Sequence, residues 1–251
     1  MTLVEARGAV LLITLNRPAA RNAVDQAVAR AVNDAIDRLE DDASLSIGVL
    51  AGNGPAFCAG MDLKAFARGE SARTPERGFA GLTGRPPVKP LIAAVEGPAF
   101  GGGFEIVLAC DLVVASGNAT FALPEVRRGL IASGGGLLRL PQRIPRNRAM
   151  EVLLTGAALD AATAYELGLV NRLVGPGEAL DAALALANEV AANGPLAVAA
   201  TKRVVTESAD WTADEAFARQ EPIAAAIKAS ADAHEGAVAF AEKRAPQWSG
   251  T

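Results

Sequence analysis

The stretch that decides the fold runs from residue 91 to residue 105 and reads Leu91-Ile-Ala-Ala-Val95-Glu-Gly97-Pro-Ala-Phe-Gly101-Gly-Gly-Phe-Glu105. Its first five residues are an apolar run of strand length, and its three glycines open a helix that we expect to continue to Cys110. Glycines at a helix start leave backbone N–H groups unscreened, so an anion or a developing oxyanion can bind there. A cluster of packing glycines would give the same spacing, and this segment alone leaves both interpretations open.

Two common phosphate-binding motifs are excluded at this segment. No Lys-Ser or Lys-Thr pair follows the glycines, as a P-loop requires, and residues 101–106 lack the G-x-G-x-x-G dinucleotide fingerprint.

The same order of strand, glycines and helix extends outward along the chain. Val10 to Leu15, Ser46 to Ala51 and Asp111 to Ser116 are predicted strands, and a helix is predicted from Asn22, its expected N-cap. The order is repeated where Phe121 to Leu123 precedes the glycines at 134–136. This alternation predicts a layered α/β domain.

Two regions differ from that pattern. Residues 66–90 are polar and rich in Gly and Pro, and we expect a mobile loop or a weakly held helix outside the core. The last third is Ala-rich with helical spacing almost throughout, and a join is expected near Asn193-Gly194-Pro195. Apolar helices at a chain end usually pack on something, so an oligomer partner is expected.

Composition excludes several classes of protein. Of the 251 residues, 51% are hydrophobic, which is typical of a globular protein. The net charge of −4 argues against a nucleic-acid partner. We find no signal peptide and no apolar run that could cross a membrane, so a cytoplasmic protein is expected. Cys58 and Cys110 make neither a disulfide framework nor a zinc site. Because His234 is the one histidine, catalysis by carboxylates or by the backbone is favoured over a His-based triad or metal site.

Two further features suggest chemistry. After the predicted strand at 46–51, the segment Gly54 to Leu63 turns sharply, with Asp62 placed to cap a following helix and the amides near Met61 pointing outward. Glu105 and Glu125 are flanked by apolar residues, and burial would raise the pKa of one of them and suit it to proton transfer near neutral pH. A plain connection and half-exposed carboxylates remain the alternatives.

Taken together, these motifs resemble the crotonase (enoyl-CoA hydratase/isomerase) superfamily over nearly the whole chain. The residues that carry the resemblance are Asn16-Arg17-Pro18 with Asn22-Ala23, Phe57-Cys-Ala-Gly-Met-Asp-Leu63, Lys89 to Val95, Gly101-Gly-Gly-Phe-Glu105, Cys110-Asp111, Phe121-Ala-Leu-Pro-Glu125, Gly134-Gly-Gly136 before Arg139-Leu140-Pro141, and Phe240-Ala-Glu-Lys-Arg244.

The resemblance implies a fold and an assembly. We expect a superhelix of repeated ββα units over residues 1–194, containing the CoA-ester site, and a C-terminal helical trimerisation region over residues 195–251. The expected partners are an acyl-CoA thioester and other copies of the chain, as a trimer or a dimer of trimers, with neither nucleic acid nor a membrane. No metal and no separate cofactor are expected, since coenzyme A is part of the substrate.

The resemblance also implies a chemistry. The N–H groups of Met61 and Gly102 would form an oxyanion hole for the thioester oxygen, Glu105 would help to activate water for attack at C3, and Glu125 would supply the proton at C2. The positions that match coenzyme A contacts are Ala20, Arg21, Ala59, Asp62, Leu63, Lys64, Phe240 and Lys243. A lysine common in hydratases is replaced by Ala19, and we expect Arg21 to supply that charge.

The expected reaction is reversible hydration of a 2-trans-enoyl-CoA, because both glutamates of the hydratases are retained. Three alternatives stay open: an enoyl-CoA isomerase using Glu125 alone, a carnitinyl-CoA-type dehydratase, and a CoA-ester-binding paralogue without efficient turnover. Ala132-Ser133 stands where short-chain hydratases more often have Pro-Gly, which leaves the identity of the acyl group open.

Overall fold

The computed structural model describes residues 1–251 and contains eleven strands and ten α-helices. The strands are β1 (Leu3–Arg7), β2 (Val10–Leu15), β3 (Ile47–Gly52), β4 (Arg73–Thr74), β5 (Gly78–Phe79), β6 (Leu91–Val95), β7 (Pro98–Phe100), β8 (Leu112–Ser116), β9 (Thr120–Ala122), β10 (Leu159–Asp160) and β11 (Arg172–Val174). The helices are α1 (Gln26–Asp41), α2 (Leu63–Ala67), α3 (Gly102–Ala109), α4 (Gly136–Arg143), α5 (Arg146–Thr155), α6 (Ala161–Glu166), α7 (Ala179–Ala191), α8 (Pro195–Glu207), α9 (Ala213–Lys228) and α10 (Ala231–Glu242).

The largest sheet has six strands in the order β1-β2-β3-β6-β8-β11, parallel except for the β1–β2 hairpin. Its strands alternate between two cores. On β6, Leu91, Ala93 and Val95 belong to the main core, whereas Ile92 and Ala94 face a second core completed by α7. Both faces are therefore covered, which explains why the parallel strands are continuous apolar runs in the sequence.

A second sheet of three strands, in the order β10-β9-β7, lies beside the first. The chain passes from β6 to β7 and then into α3, and from β8 to β9 and then towards α4. Each unit thus contributes one strand to each sheet before its helix. The predicted superhelix of ββα units is confirmed.

The start of the first helix differs from the prediction. Asp25, not Asn22, is the N-cap of α1, and its carboxylate accepts from the Val28 N–H at 2.9 Å. Asn22 has a φ of +55° and is buried; its side-chain amide donates to the carbonyls of Asn53 and Ala56 and its oxygen accepts from the Arg17 N–H. Asn22 therefore fastens the loop before α1 to the turn after β3.

Residues 66–90 are not the mobile loop outside the core that the sequence predicted. Residues 66–69 are exposed, as are Arg85 and Val88 near the end of the segment, but Phe79, Ala80 and Leu82 belong to the main core, and β4 pairs with β5. Arg77 is 1% exposed, and its guanidinium donates to Asp37 at 2.7 Å and to Glu40 at 2.8 Å, both on α1. A buried ion pair with residues far back in the sequence holds a segment whose own composition is that of a loop.

The C-terminal region is helical, as its spacing predicts, and the join between α7 and α8 falls at residues 192–194. α7 packs on β3, β6 and β8, whereas α8 and α9 contain no buried residue. The division into regions 1–194 and 195–251 stays a prediction. No single helix is long and apolar enough to cross a membrane; only α7 together with residues 195–210 reaches such a length, across a bend of 104°.

The anchoring role of Arg77 gives a first prediction. We expect Arg77→Ala to lower the free energy of unfolding by at least about 2 kcal/mol, because three hydrogen bonds to carboxylates, one to the Arg85 carbonyl and a buried side chain are lost. Urea denaturation measures this difference. Arg85→Ala, at an exposed position of the same segment without an ion pair, is the control and should stay within about 0.5 kcal/mol of wild type. A cost for Arg77→Ala no larger than that of the control would contradict the buried anchor.

Candidate active site

Two backbone N–H groups without a hydrogen-bond partner in the chain define the site. Val24 bridges to Met61 as a short parallel pair, in which Val24 donates to the Gly60 carbonyl and accepts from the Asp62 N–H. This pairing leaves the Met61 N–H free. Gly102 is the first residue of α3, so its N–H lies in the turn where helical amides have no intrahelical acceptor.

The two segments that carry these amides are held together by main-chain contacts. Cys58 pairs with Ala99, and the Phe100 N–H donates to the Cys58 carbonyl at 2.9 Å. A Cβ at Gly103 would lie 2.1 Å from the Cys58 carbonyl oxygen, and a Cβ at Gly60, where φ is +88°, would lie 3.0 Å from the Gly102 nitrogen. Only glycine permits this approach, which accounts for glycine at both positions.

Cys58 supports this geometry and offers no nucleophile. Its thiol is buried, donates to the Asn22 carbonyl and accepts from the Gly60 N–H. Burial raises the pKa of the Cys58 thiol to about 12, so the thiolate is not populated near neutral pH.

Glu105 lies on α3, one turn after Gly102, and is 4% exposed. The Gly136 N–H, at the start of α4, donates to its Oε1 at 3.0 Å. Burial raises the pKa of Glu105 above its usual range, while the Gly136 and Gly134 amides and the charges of Arg73 and Arg139 oppose the rise. Glu105 is thus a buried carboxyl group that holds a proton more tightly than a carboxyl group in water.

Glu125 is on the short 3-10 helix Pro124–Arg128 that follows β9. A Cβ placed at Gly101 would lie 3.2 Å from its Oε1, so the carboxyl group sits at the start of α3. Its Oε2 is buried without a hydrogen-bond partner. Burial raises the pKa of Glu125, and the charge of Glu105 raises it further.

Both amides and both glutamates line one cavity of about 560 Å³. Its remaining lining comes from α2, from the segment leading into β4, and from the loop before α4. The lining residues are Met61, Leu63, Phe66, Gly69, Glu70, Ser71, Ala72, Arg73, Phe79, Gly102, Glu105, Glu125, Leu130, Ile131, Ser133 and Gly134. The structure therefore brings together the four residues to which the sequence assigned chemistry.

The residues expected to contact coenzyme A fall into three sets. Ala20 and Arg21 lie in a turn whose Arg21 carbonyl accepts from the Ala59 N–H at 2.9 Å, so this turn adjoins the 59–64 segment. Leu63 lines the cavity, and Lys64 is exposed beside it. The 20–21 turn is thus bonded to the segment whose Met61 and Leu63 line the cavity.

Asp62 has partners within the chain that account for its side chain. It caps α2, as predicted, by accepting from the Lys64 and Ala65 N–H groups, and its other oxygen accepts from Arg17 at 3.0 Å. These hydrogen bonds, the one from Ala65 foremost, lower the pKa of Asp62. The Asp62 carboxylate is thus fully engaged in holding the loop after Met61.

The third set, Phe240 and Lys243, does not line the cavity. Phe240 is 87% exposed at the end of α10, and Lys243 follows it with a φ of +55°. Their contact with coenzyme A at a subunit boundary stays a prediction. His234 is likewise exposed on α10 and outside the cavity.

Three positions at or beside the site escaped the sequence analysis. Arg17 joins the loop before α1 to the loop after Met61 by forming ion pairs with Asp25 and Asp62. Phe79 packs on the oxyanion region, since a Cβ at Gly102 would lie 2.4 Å from its ring. Arg73 brings a cation to the cavity. Arg17 stood within a quoted motif, but Phe79 and Arg73 lie in the segment interpreted as a loop, where no local pattern marked them.

The raised pKa values give a second prediction. A carboxyl group whose pKa is higher in the folded than in the unfolded state stabilises the fold below its unfolded pKa and loses this contribution as pH rises through the folded pKa. We therefore expect Glu105→Gln and Glu125→Gln to raise the melting temperature at pH 8, with the gain disappearing towards pH 4. Calorimetry at both pH values tests this, with exposed Glu76→Gln as the control that should change little. Equal gains at both pH values, or losses at pH 8, would contradict the buried carboxyl groups.

Comparison with known proteins identifies the family. The enoyl-CoA hydratase/isomerase family model matches residues 5–251. A carnitinyl-CoA dehydratase of Proteus mirabilis is 43% identical, with 97% of this chain and 96% of its own length covered. An enoyl-CoA hydratase of Mycobacterium tuberculosis is 45% identical, with 98% and 95% covered.

Solved structures agree with the sequence relatives. A crystal structure of enoyl-CoA hydratase from Mycobacterium tuberculosis has a TM-score of 0.98 at 59% identity, covering 100% of this chain and 99% of that one. A crystal structure of carnitinyl-CoA hydratase from Mycobacterium avium has a TM-score of 0.80 at 45% identity, with 100% and 98% covered. By fold and by sequence over almost its full length, the chain belongs to the enoyl-CoA hydratase/isomerase family.

Proposed function

We propose that this protein catalyses the reversible addition of water to 2-trans-enoyl-CoA, giving 3-hydroxyacyl-CoA. The observation that carries the proposal is the meeting of two unpartnered amides and two buried glutamates in one cavity. The amides can accept the charge that develops on a thioester oxygen, and the carboxyl groups can move the protons.

In this mechanism the thioester oxygen accepts hydrogen bonds from the Met61 and Gly102 N–H groups. Glu105 takes a proton from water as its oxygen bonds to C3, and the electron pair of the C2–C3 double bond moves towards the thioester oxygen as an enolate. Glu125 then donates a proton to C2. Backbone donors fixed before the reaction are worth about 3–4 kcal/mol each in the transition state.

The burial of both glutamates supports these roles. A group that gives up a proton and a group that takes one work best with pKa values near the operating pH, and burial moves both carboxyl groups in that direction. The free Oε2 of Glu125 can also hold a proton destined for C2 without first breaking a hydrogen bond within the chain.

Turnover of glutamine variants tests this proposal. On a 2-enoyl-CoA such as crotonyl-CoA, Glu105→Gln and Glu125→Gln should each lower kcat by about 10²–10⁴-fold, because glutamine keeps the size but cannot transfer the proton. The double variant should be worse by far less than the product of the two losses. Loss of enoyl-thioester absorbance gives the rates, and Glu76→Gln, outside the cavity, is the matched control.

The outcomes separate the candidates. Hydration by Glu105→Gln near the wild-type rate would overturn the two-glutamate mechanism. Isomerase activity would appear as turnover of a 3-enoyl-CoA that survives Glu105→Gln but not Glu125→Gln. Absence of turnover on every enoyl-CoA would favour a CoA-ester-binding paralogue.

A second candidate reaction is the dehydration of carnitinyl-CoA. It is supported by the 43% identity to the Proteus mirabilis dehydratase and uses the same two glutamates in the reverse direction. Relative turnover of crotonobetainyl-CoA and crotonyl-CoA distinguishes the two substrates.

We also propose that the chain forms a homo-oligomer, a trimer or a dimer of trimers, in the cytoplasm. Large apolar side chains remain uncovered on the single chain, among them Leu138, Leu154, Val205 and Phe217. Such surfaces are usually covered by another subunit. Light scattering at micromolar concentration should give three or six times the 25.6 kDa of one chain, and the mass of a single chain would contradict the assembly.

A further inference from the structure

The wall of the cavity formed by residues 69–73 contains a cation without a counter-ion. Arg73 is the one Lys or Arg among the lining residues. Its guanidinium makes no ion pair and no side-chain hydrogen bond anywhere in the chain, whereas its backbone N–H is held by the Ser71 hydroxyl. Five N–H donors of Arg73 are therefore free for a ligand.

Arg73 is carried by a fixed element. It is the first residue of β4 and pairs with Phe79 on β5. The next residue, Thr74, is buried and donates to Asn33 on α1, and Arg77 fastens the same hairpin to Asp37. The backbone of Arg73 is therefore fixed beside the cavity, while its exposed side chain stays free to reach a ligand.

The negative groups of the cavity form no ion pair with Arg73. Glu70 accepts two hydrogen bonds from Arg68, through Nε and Nη2, so its charge is already paired. Glu105 accepts from the Gly136 N–H, and neither Glu105 nor Glu125 forms an ion pair with Arg73. Arg73 is thus the one Lys or Arg of the cavity lining, and its guanidinium contacts no carboxylate.

We propose that Arg73 determines acyl specificity by binding a carboxylate at the end of the acyl group remote from the thioester. The substrate class would then be enoyl-CoA esters of dicarboxylic acids. Guanidinium and carboxylate match in a bidentate geometry that neither a methyl nor an ammonium end can provide. This inference rests on the proposed function for the reaction that the bound ester undergoes. The binding of the acyl group by Arg73 is a separate property and does not depend on that reaction.

An arginine in the acyl region also bears on the carnitinyl-CoA alternative. A carnitinyl group ends in a quaternary ammonium, which would be repelled by Arg73 if it lay in the same part of the cavity. We therefore expect crotonobetainyl-CoA to be a poorer ligand than a neutral enoyl-CoA of similar size.

Equilibrium binding of saturated CoA esters tests the inference without any turnover. Isothermal titration compares glutaryl-CoA with pentanoyl-CoA and adipyl-CoA with hexanoyl-CoA, so that each pair differs in the terminal carboxylate. For at least one pair, the wild-type protein should bind the carboxylated ester about 10- to 100-fold more tightly. Arg73→Gln should abolish this ratio and Arg73→Lys should retain part of it. Arg85→Gln, exposed and outside the cavity, should leave it unchanged.

The two proposals fail in different ways. Equal affinity for the carboxylated and neutral esters in wild type, or a preference that persists in Arg73→Gln, overturns the specificity assigned to Arg73 even if crotonyl-CoA is hydrated. A carboxylate preference lost in Arg73→Gln supports it even if no enoyl-CoA is hydrated, in which case only the proposed reaction is wrong.

Discussion

The close approach of the backbone at Cys58 to the start of α3 is the constraint on which the rest of the site depends. The pairing of Cys58 with Ala99 and the absence of a side chain at Gly103 allow two main-chain segments to touch directly. Because the Met61 and Gly102 amides lie on these two segments, their separation is fixed by the fold and not by any flexible side chain. Each ββα unit contributes one strand to each of the two sheets, and the sheets together support this contact. A catalytic site built on backbone donors requires this kind of rigidity, since such donors cannot adjust by rotating a side chain.

The site also destabilises the fold. Two carboxyl groups lie in a largely apolar cavity, and one oxygen of Glu125 has no partner. Burying such groups destabilises a protein unless they are paired, so their presence indicates selection for chemistry over stability. Elsewhere the chain satisfies its buried charge: Arg77 is as buried as Glu105 but has two carboxylate partners. Arg77 is paired with carboxylates, whereas Glu125 keeps one buried oxygen without a partner, and this contrast distinguishes the structural anchor from the candidate active site.

Local sequence patterns predict those helices and strands whose apolar residues recur with the period of the element itself. The parallel strands, the glycine-opened helix α3, the cap at Asp62 and the helices of the last third follow from residues within a few positions of each other. The catalytic assignment needed more, because Glu105 and Glu125 are placed on one cavity by the superhelix, which the family resemblance supplied. The segment 66–90 was misinterpreted because its order comes from α1: Asp37 and Glu40 hold Arg77 from about forty residues earlier, and no local signal records that contact. Asn22 was misassigned for a similar reason, since its hydrogen-bond partners Asn53 and Ala56 lie on the far side of β3.

The proposed oxyanion hole requires the two backbone amides to polarise a thioester carbonyl, which vibrational spectroscopy of the bound ligand can measure. Infrared difference spectra of a CoA ester with ¹³C at the thioester carbon, free and bound to the wild-type protein, isolate the stretching band of that carbonyl. Two hydrogen bonds from Met61 and Gly102 should move the band to lower frequency than in water. A bound carbonyl that absorbs at or above its frequency in water would contradict the oxyanion hole on which the account depends.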